Sequence, residues 1–178
     1  MLWSAKSLSN LPIKSLESGN ILGYIKETII DPENCQLLGF LVYNSFWSSR
    51  QKVLSFRDIC KFSYQEILVR SDQVITELEE IVRIKNIVEE KRFIIESKVF
   101  TQSGKKLGKV SDFVIDIDLG SMVKIYVEKK GLWGIMGDLL IISVEQILEI
   151  KSRKIIVKDN FSTQELEEKN IIEEPIIN

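Results

Sequence analysis

Histidine is missing from this chain altogether. That removes the commonest general base and the commonest metal ligand, and it excludes nucleophile–base pairs of the Ser–His or Cys–His type. Cysteine occurs only as Cys35 and Cys60, at no metal-binding or redox spacing. Two isolated thiols fit a reducing compartment. The longest apolar runs, such as Leu37–Tyr43, fall far short of the ~20 residues a membrane-spanning helix needs. Met1-Leu2-Trp3 opens with neither a basic start nor an apolar core, so no secretory signal or Arg-rich transit peptide is expected. Net charge is only −2, which does not announce the strongly basic face of a nucleic-acid binder. The charge is uneven: residues 161–178 carry −4 and residues 1–160 carry +2. Alanine occurs once against 27 isoleucines, and 18 lysines stand against six arginines. Helix propensity does not explain that bias; AT-rich coding does, and it speaks of the source genome rather than of the fold.

What is present is an internal copy. Ser18–Val42 recurs as Ser103–Val127 at an offset of 85: Ser18-Gly19 matches Ser103-Gly104, Leu22-Gly23 matches Leu107-Gly108, and Ile29-Ile30-Asp31 matches Val114-Ile115-Asp116. A second block matches at an offset of 88, with Phe56, Ile59, Ile67 and Val69 meeting Val144, Ile147, Ile155 and Val157. A repeat takes precedence over any other inference about fold. Modules of about 70 residues sit near the lower limit for independent stability, so the two copies are expected to pack on each other.

Each copy predicts short strands and tight turns. Ser18-Gly19-Asn20, Ser103-Gly104-Lys105, Asp31-Pro32-Glu33-Asn34 and Asp118-Leu119-Gly120-Ser121 are turn sequences. The β-branched runs between them are strand signals. Between the copies the period changes, and Val74, Ile75, Leu78, Ile81, Val82 and Val88 fall at helical spacing. Thr76 with Glu79 fits a capping box, which predicts a helix over about 76–90. Ser162–Asn170 predicts a second short helix, followed by an extended end.

Three groups of residues are candidates for chemistry. Asp112, Asp116 and Asp118 would share a strand face, where three carboxylates could receive a hard cation; solvated outward positions and a turn aspartate are the plainer alternative. Lys105-Lys106, Lys109, Lys124, Lys129 and Lys130 form a basic surface for an anionic partner, or ordinary solubilising charge. The third group is aromatic. Phe46-Trp47 and Leu132-Trp133-Gly134-Ile135-Met136 occupy equivalent connections in the two copies. Large apolar side chains in loops mark interaction sites, and Trp and Met are interface anchors. The alternative is that each loop folds back over its own module.

The stretch Ser103-Gly104-Lys105-Lys106-Leu107-Gly108-Lys109-Val110-Ser111-Asp112-Phe113-Val114-Ile115-Asp116 resembles the opening of a PRC-barrel domain, the β-barrel module of photosynthetic reaction-centre H subunits and ribosome-maturation factors. Gly131–Gly134, then Leu139–Ile142, Val144, Ile147 and Ile155–Val157, continue the resemblance. It departs at Ser143, where many members have proline, and in the first copy, where Phe46-Trp47-Ser48-Ser49 replaces the Gly-rich segment. The resemblance implies a mainly β protein, two small PRC-type β-barrels in tandem joined by a helix: residues 1–72, a connector at 73–92, residues 93–160, and an acidic tail at 161–178. Tandem members of this kind are similar to proteins of cyanobacteria and algal plastids.

The resemblance implies a non-enzymatic scaffold or assembly protein with no cofactor and no metal. It would bind a large complex of photosystem or phycobilisome components, on the stromal or cytoplasmic side of thylakoids, with peripheral membrane contact through that complex. Phe46, Trp47, Leu132, Trp133, Ile135 and Met136 would be the anchors, while Lys129 and Lys130 bias encounter. The alternative is a ribosome or RNA assembly factor using a continuous basic face from Lys105 to Lys130; nucleic acid is otherwise not an expected partner.

Overall fold

A computed structural model describes residues 1–44, 51–129 and 139–160. It contains 14 strands and few helices, arranged as two seven-stranded sheets that curl into a half-barrel. The first sheet comprises β2 (Pro12–Ser15), β3 (Ile21–Ile30), β4 (Leu37–Tyr43), β5 (Lys52–Ser55), β6 (Ile59–Phe62), β7 (Ile67–Val69) and β8 (Ile75–Glu77), in the order β6-β7-β2-β3-β4-β5-β8. The second comprises β9 (Lys98–Thr101), β10 (Lys106–Asp116), β11 (Ser121–Glu128), β12 (Leu139–Ser143), β13 (Ile147–Lys151) and β14 (Lys154–Val157), in the order β12-β11-β10-β9-β14-β13, with β1 (Leu2–Ser4) added against β10. Six strands of each sheet therefore follow one path. In each, the single parallel pairing joins the first strand of the path in sequence to the last, β2 to β7 and β9 to β14.

The turn chemistry that the sequence announces is in place. Gly19 and Gly104 adopt φ of +72° and +92°, the left-handed region that costs glycine little. At the β3–β4 turn the Glu33 N–H donates to the Asp31 side chain at 3.0 Å and the Cys35 N–H donates to the Asp31 carbonyl at 2.8 Å.

One continuous core joins the sheets. Phe40, Ile25, Leu54 and Ile67 of the first, and Phe113, Ile125, Ile142 and Ile155 of the second, belong to a single buried cluster. The seam is made of equivalent residues. Gln36 and Ser121, at the repeat offset of 85, form an antiparallel bridge. The Leu37 N–H donates to the Gly120 carbonyl and the Met122 N–H to the Cys35 carbonyl, both at 2.8 Å. Such reciprocal contacts are those of a local two-fold. Across the same seam β1 pairs with β10 through Leu2–Asp116, Trp3–Ile115 and Ser4–Val114, and buried Trp3 stacks on Tyr64 with ring centroids 5.1 Å apart.

The helix expected over 76–90 is shorter than its sequence period implies. Ile75–Glu77 is a strand on the edge of β5, Leu78–Glu80 a 3-10 turn, and only Val82–Glu89 (α2) is α-helical. Thr76 sits opposite Val53 in the sheet, and the capping contact falls one residue later, where the Glu80 carboxylate accepts the Glu77 N–H at 3.2 Å. Edge pairing wins here because it satisfies backbone groups and adds an ion pair, Lys52 to Glu77 at 3.3 Å. Ile84 and Ile87 of α2 pack with Ile29, Leu41, Val53 and Leu78 on the outer face of the first sheet. A four-residue helix, α1 (Ala5–Leu8), follows β1, capped by the Ser4 hydroxyl. No helix among the described residues is long and apolar enough to cross a membrane.

Candidate binding cleft

A concavity of about 760 Å³ opens between β3 and the outer face of the second sheet. Strand alternation explains its lining. In β9, Val99 and Thr101 point into the core, which sends Lys98 and Phe100 outward. In β14, Ile155 and Val157 are buried and Lys154 is exposed. The segment between α2 and β9 contributes Phe93, Ile95 and Glu96, and β3 contributes Glu27. Arg92 pins the connector in place: its Nε and a terminal NH₂ donate to the Ile150 carbonyl at 3.1 and 2.8 Å, and the same NH₂ pairs with Glu33 at 2.9 Å. Arg153 closes the β13–β14 turn at a left-handed φ of +52°, accepting the Lys98 N–H on its carbonyl at 3.0 Å.

Register turns this face into a row of like charge. Lys109 lies opposite Lys98, Lys98 opposite Lys154, and Lys154 opposite Lys151, across β10, β9, β14 and β13 in succession. Lys109 pairs with Glu96 at 2.7 Å and Lys151 with Glu149 at 2.9 Å. Lys98 and Lys154 have no carboxylate partner among the described residues; the Lys154 ammonium instead lies 4.8 Å from the centre of the Phe100 ring. Across the cleft, burial pushes the Glu27 carboxyl above the usual carboxylate range, against the pull of Lys26. That carboxyl therefore offsets the row less than an ordinary glutamate would.

The residues singled out from sequence are not brought to this cleft as a set. Lys109 is in the row. Lys105 and Lys106 are exposed at the start of β10, Lys129 is exposed just after β11, and Lys124 lies with its ammonium 5.6 Å from the Tyr126 ring centre. Lys130, Phe46, Trp47, Leu132, Trp133, Ile135 and Met136 lie outside the described residues. The three aspartates do not converge on an ion. Asp112 accepts the Ser4 hydroxyl and the Lys6 N–H, while Asp116 and Asp118 receive the Met1 amino group. Among the described residues no group of His, Cys, Asp or Glu is placed to hold a metal. Cys35 is half-buried at the seam and Cys60 is exposed on β6.

Sequence proximity misses Lys98, Lys151, Arg153, Lys154, Phe93 and Phe100. The Lys-Ser-Arg-Lys turn at 151–154 was a signal in plain view. Its partner Lys98 becomes visible only through the parallel pairing of β9 with β14.

The strands β9 to β14 and the segment that leads into β9 fall within one recognisable unit. Residues 90–164 are a PRC-barrel domain. The match covers under half of the chain and contains β9 to β14, with all four lysines of the row. The PRC-barrel domain thus supplies most of the cleft, and among the described residues only Glu27 comes from the first sheet. No curated protein matches the chain.

Proposed function

We propose that this protein is a non-enzymatic binding protein, built from two PRC-type half-barrels in tandem with α2 between them, that associates with a large protein assembly. The observation that carries this reading is the cleft. What it offers a ligand is a line of ammonium groups beside phenylalanine side chains, on a strand face held rigid by the core beneath it. Charge and apolar surface on a rigid support are what recognition needs. The resemblance to tandem PRC-barrel proteins, with the AT-rich composition, supports a photosystem or phycobilisome component as the assembly, on the stromal or cytoplasmic side of thylakoids. The aromatic loops at Phe46-Trp47 and Leu132–Met136 would be further anchors.

Affinity isolation of the tagged full chain from its own cells, followed by mass spectrometry, tests the reading. A large complex should co-purify at low salt and dissociate as salt rises. Isolation of the chain alone at low salt would refute it. Ribosomal subunits recovered in place of photosynthetic components would move the assembly, and not the binding role.

A further inference from the structure

We infer that the lysine row Lys109–Lys98–Lys154–Lys151 is a docking site for an extended acidic segment of a partner polypeptide. The inference rests on the binding role proposed above and names the chemistry of the partner.

Like charges directly opposite on neighbouring strands are destabilising. This sheet sets four in register, and the two central ones have no carboxylate partner among the described residues. The fold does not require it. The repeat offsets put Tyr24, Glu66 and Ser63 at the positions of Lys109, Lys154 and Lys151, and Pro12, which pairs with Tyr24 as Lys98 pairs with Lys109, takes the place of Lys98, so the first sheet has no cation at these four positions. A repulsive row kept on one of two matching sheets is explained by a ligand that supplies the missing negative charge.

The spacing identifies that ligand further. Adjacent strands lie about 4.8 Å apart, so the row spans roughly 14 Å. An extended peptide places side chains of one face about 6.6 Å apart, so two or three of its carboxylates fit along the row. Phe93 and Ile95 lie beside it in the cleft and offer apolar contact to a side chain flanking the carboxylates.

A polypeptide is favoured over a nucleic acid on two grounds. Glu96 and Glu149 flank the row, where a polypeptide can end its run of carboxylates in neutral residues while a phosphodiester chain must carry a charge at every nucleotide. The Phe100 ring is already taken by Lys154, so it is not a free platform for base stacking.

The test uses the full chain and a fluorescein-labelled octapeptide, Glu-Glu-Phe-Glu-Glu-Phe-Glu-Glu, with the same peptide carrying Gln for Glu and a single-stranded RNA 12-mer as comparators. Fluorescence anisotropy at low salt is expected to show binding of the Glu peptide and no binding of the Gln peptide. Lys98→Gln with Lys154→Gln should weaken it at least tenfold, while Lys6→Gln with Lys61→Gln, at exposed sites outside the row, leaves it unchanged. The row variant should melt no lower than the parent protein, since it removes repulsion.

No binding of the Glu peptide, equal loss in both variants, or a lower melting temperature for the row variant would overturn the proposal. RNA binding that depends on Lys98 and Lys154 and exceeds peptide binding would overturn it as well. Should the row variant still co-purify with the complex in cells, the docking assignment fails while the binding role stands.

Discussion

The two sheets share a strand path and present different surfaces. Their agreement reaches the backbone. Asn10 and Glu96, equivalent residues, both take a left-handed conformation (φ +66° and +62°), and each donates its N–H at 2.9 Å to an equivalent carbonyl, of Ile25 and Val110. Cys35 and Gly120 are likewise paired at φ +59° and +61°. Outside the core the copies part. The outer face of the first sheet is covered by α2 through Ile29, Leu41 and Val53. At the equivalent positions the second sheet has Val114, Tyr126 and Ile141, with Lys124 where the first has Gly39. The second sheet buries Val114 and Ile141 there as well; what sets it apart is the row of cations, at positions where the first sheet has Tyr24, Pro12, Glu66 and Ser63.

The shared core offers the strongest way to break this comparison. Phe40→Ala and Phe113→Ala each empty a fully buried site, one per sheet, and each should cost about 3–5 kcal/mol. Because both side chains lie in one cluster, calorimetry should show a single transition lowered by either change. Two transitions, with only one moved by each variant, would mean that the sheets are independent.

The seam is next. A Cβ at Gly120 would come 2.7 Å from the Phe56 ring, at a φ that side chains resist. Gly120→Ala should therefore cost about 1–3 kcal/mol by chemical denaturation. Its counterpart Cys35 already carries a side chain at that conformation, so Cys35→Gly should be tolerated. An equal loss at both positions would contradict the asymmetry of the seam.

A smaller effect separates the two equivalent turn acids. Burial works to raise the Asp31 carboxyl, but the hydrogen bond from Arg83, the Glu33 N–H, and the charges of Arg83 and Arg92 outweigh it and hold it below the usual range. A depressed carboxyl contributes stability above its unfolded pKa of about 4, and that contribution is lost as pH falls through the folded value. Arg83 is half exposed, so Arg83→Ala should cost about 1 kcal/mol near pH 7 and less in acid. A loss that does not shrink on acidification would rule out the pairing as its cause.

Glu27 should give the smallest change. Burial raises its carboxyl, so its ionised form is disfavoured in the fold and the cost grows as pH rises above the usual carboxylate range. Glu27→Gln is expected to stay within about 0.5 kcal/mol of the parent and to gain relative stability between pH 4 and pH 7. A relative loss over that interval would mean that the carboxylate is held by a cation.

Turns and strand faces were legible because they are local. Asp31-Pro32-Glu33-Asn34 and Ser103-Gly104 announce bends through their own backbone chemistry, and the β-branched runs between the turns mark strands. The connector misled because Ile75 and Leu78 keep a helical period while Ile75 in fact pairs with Leu54 across an edge. The repeat also runs further than its barrel strands indicate. Glu77–Glu80 and Lys85–Glu90 recur in sequence as Glu165–Glu168 and Lys169–Glu174, past the end of the described residues. The basic surface was grouped along the chain, from Lys105 to Lys130. In the molecule Lys124 lies over Tyr126 and Lys109 joins lysines from three other strands.

The amino-acid sequence by itself determined the module, its repetition, its turns and the side of each strand that meets the core, because period and turn propensity act over a few residues. Only the tertiary structure decided that Lys98, Lys109, Lys151 and Lys154 stand in one line. Their alignment depends on the parallel pairing of β9 with β14, and that register is set by burying Val99, Ile155 and Val157 in a common core rather than by anything the lysines themselves encode.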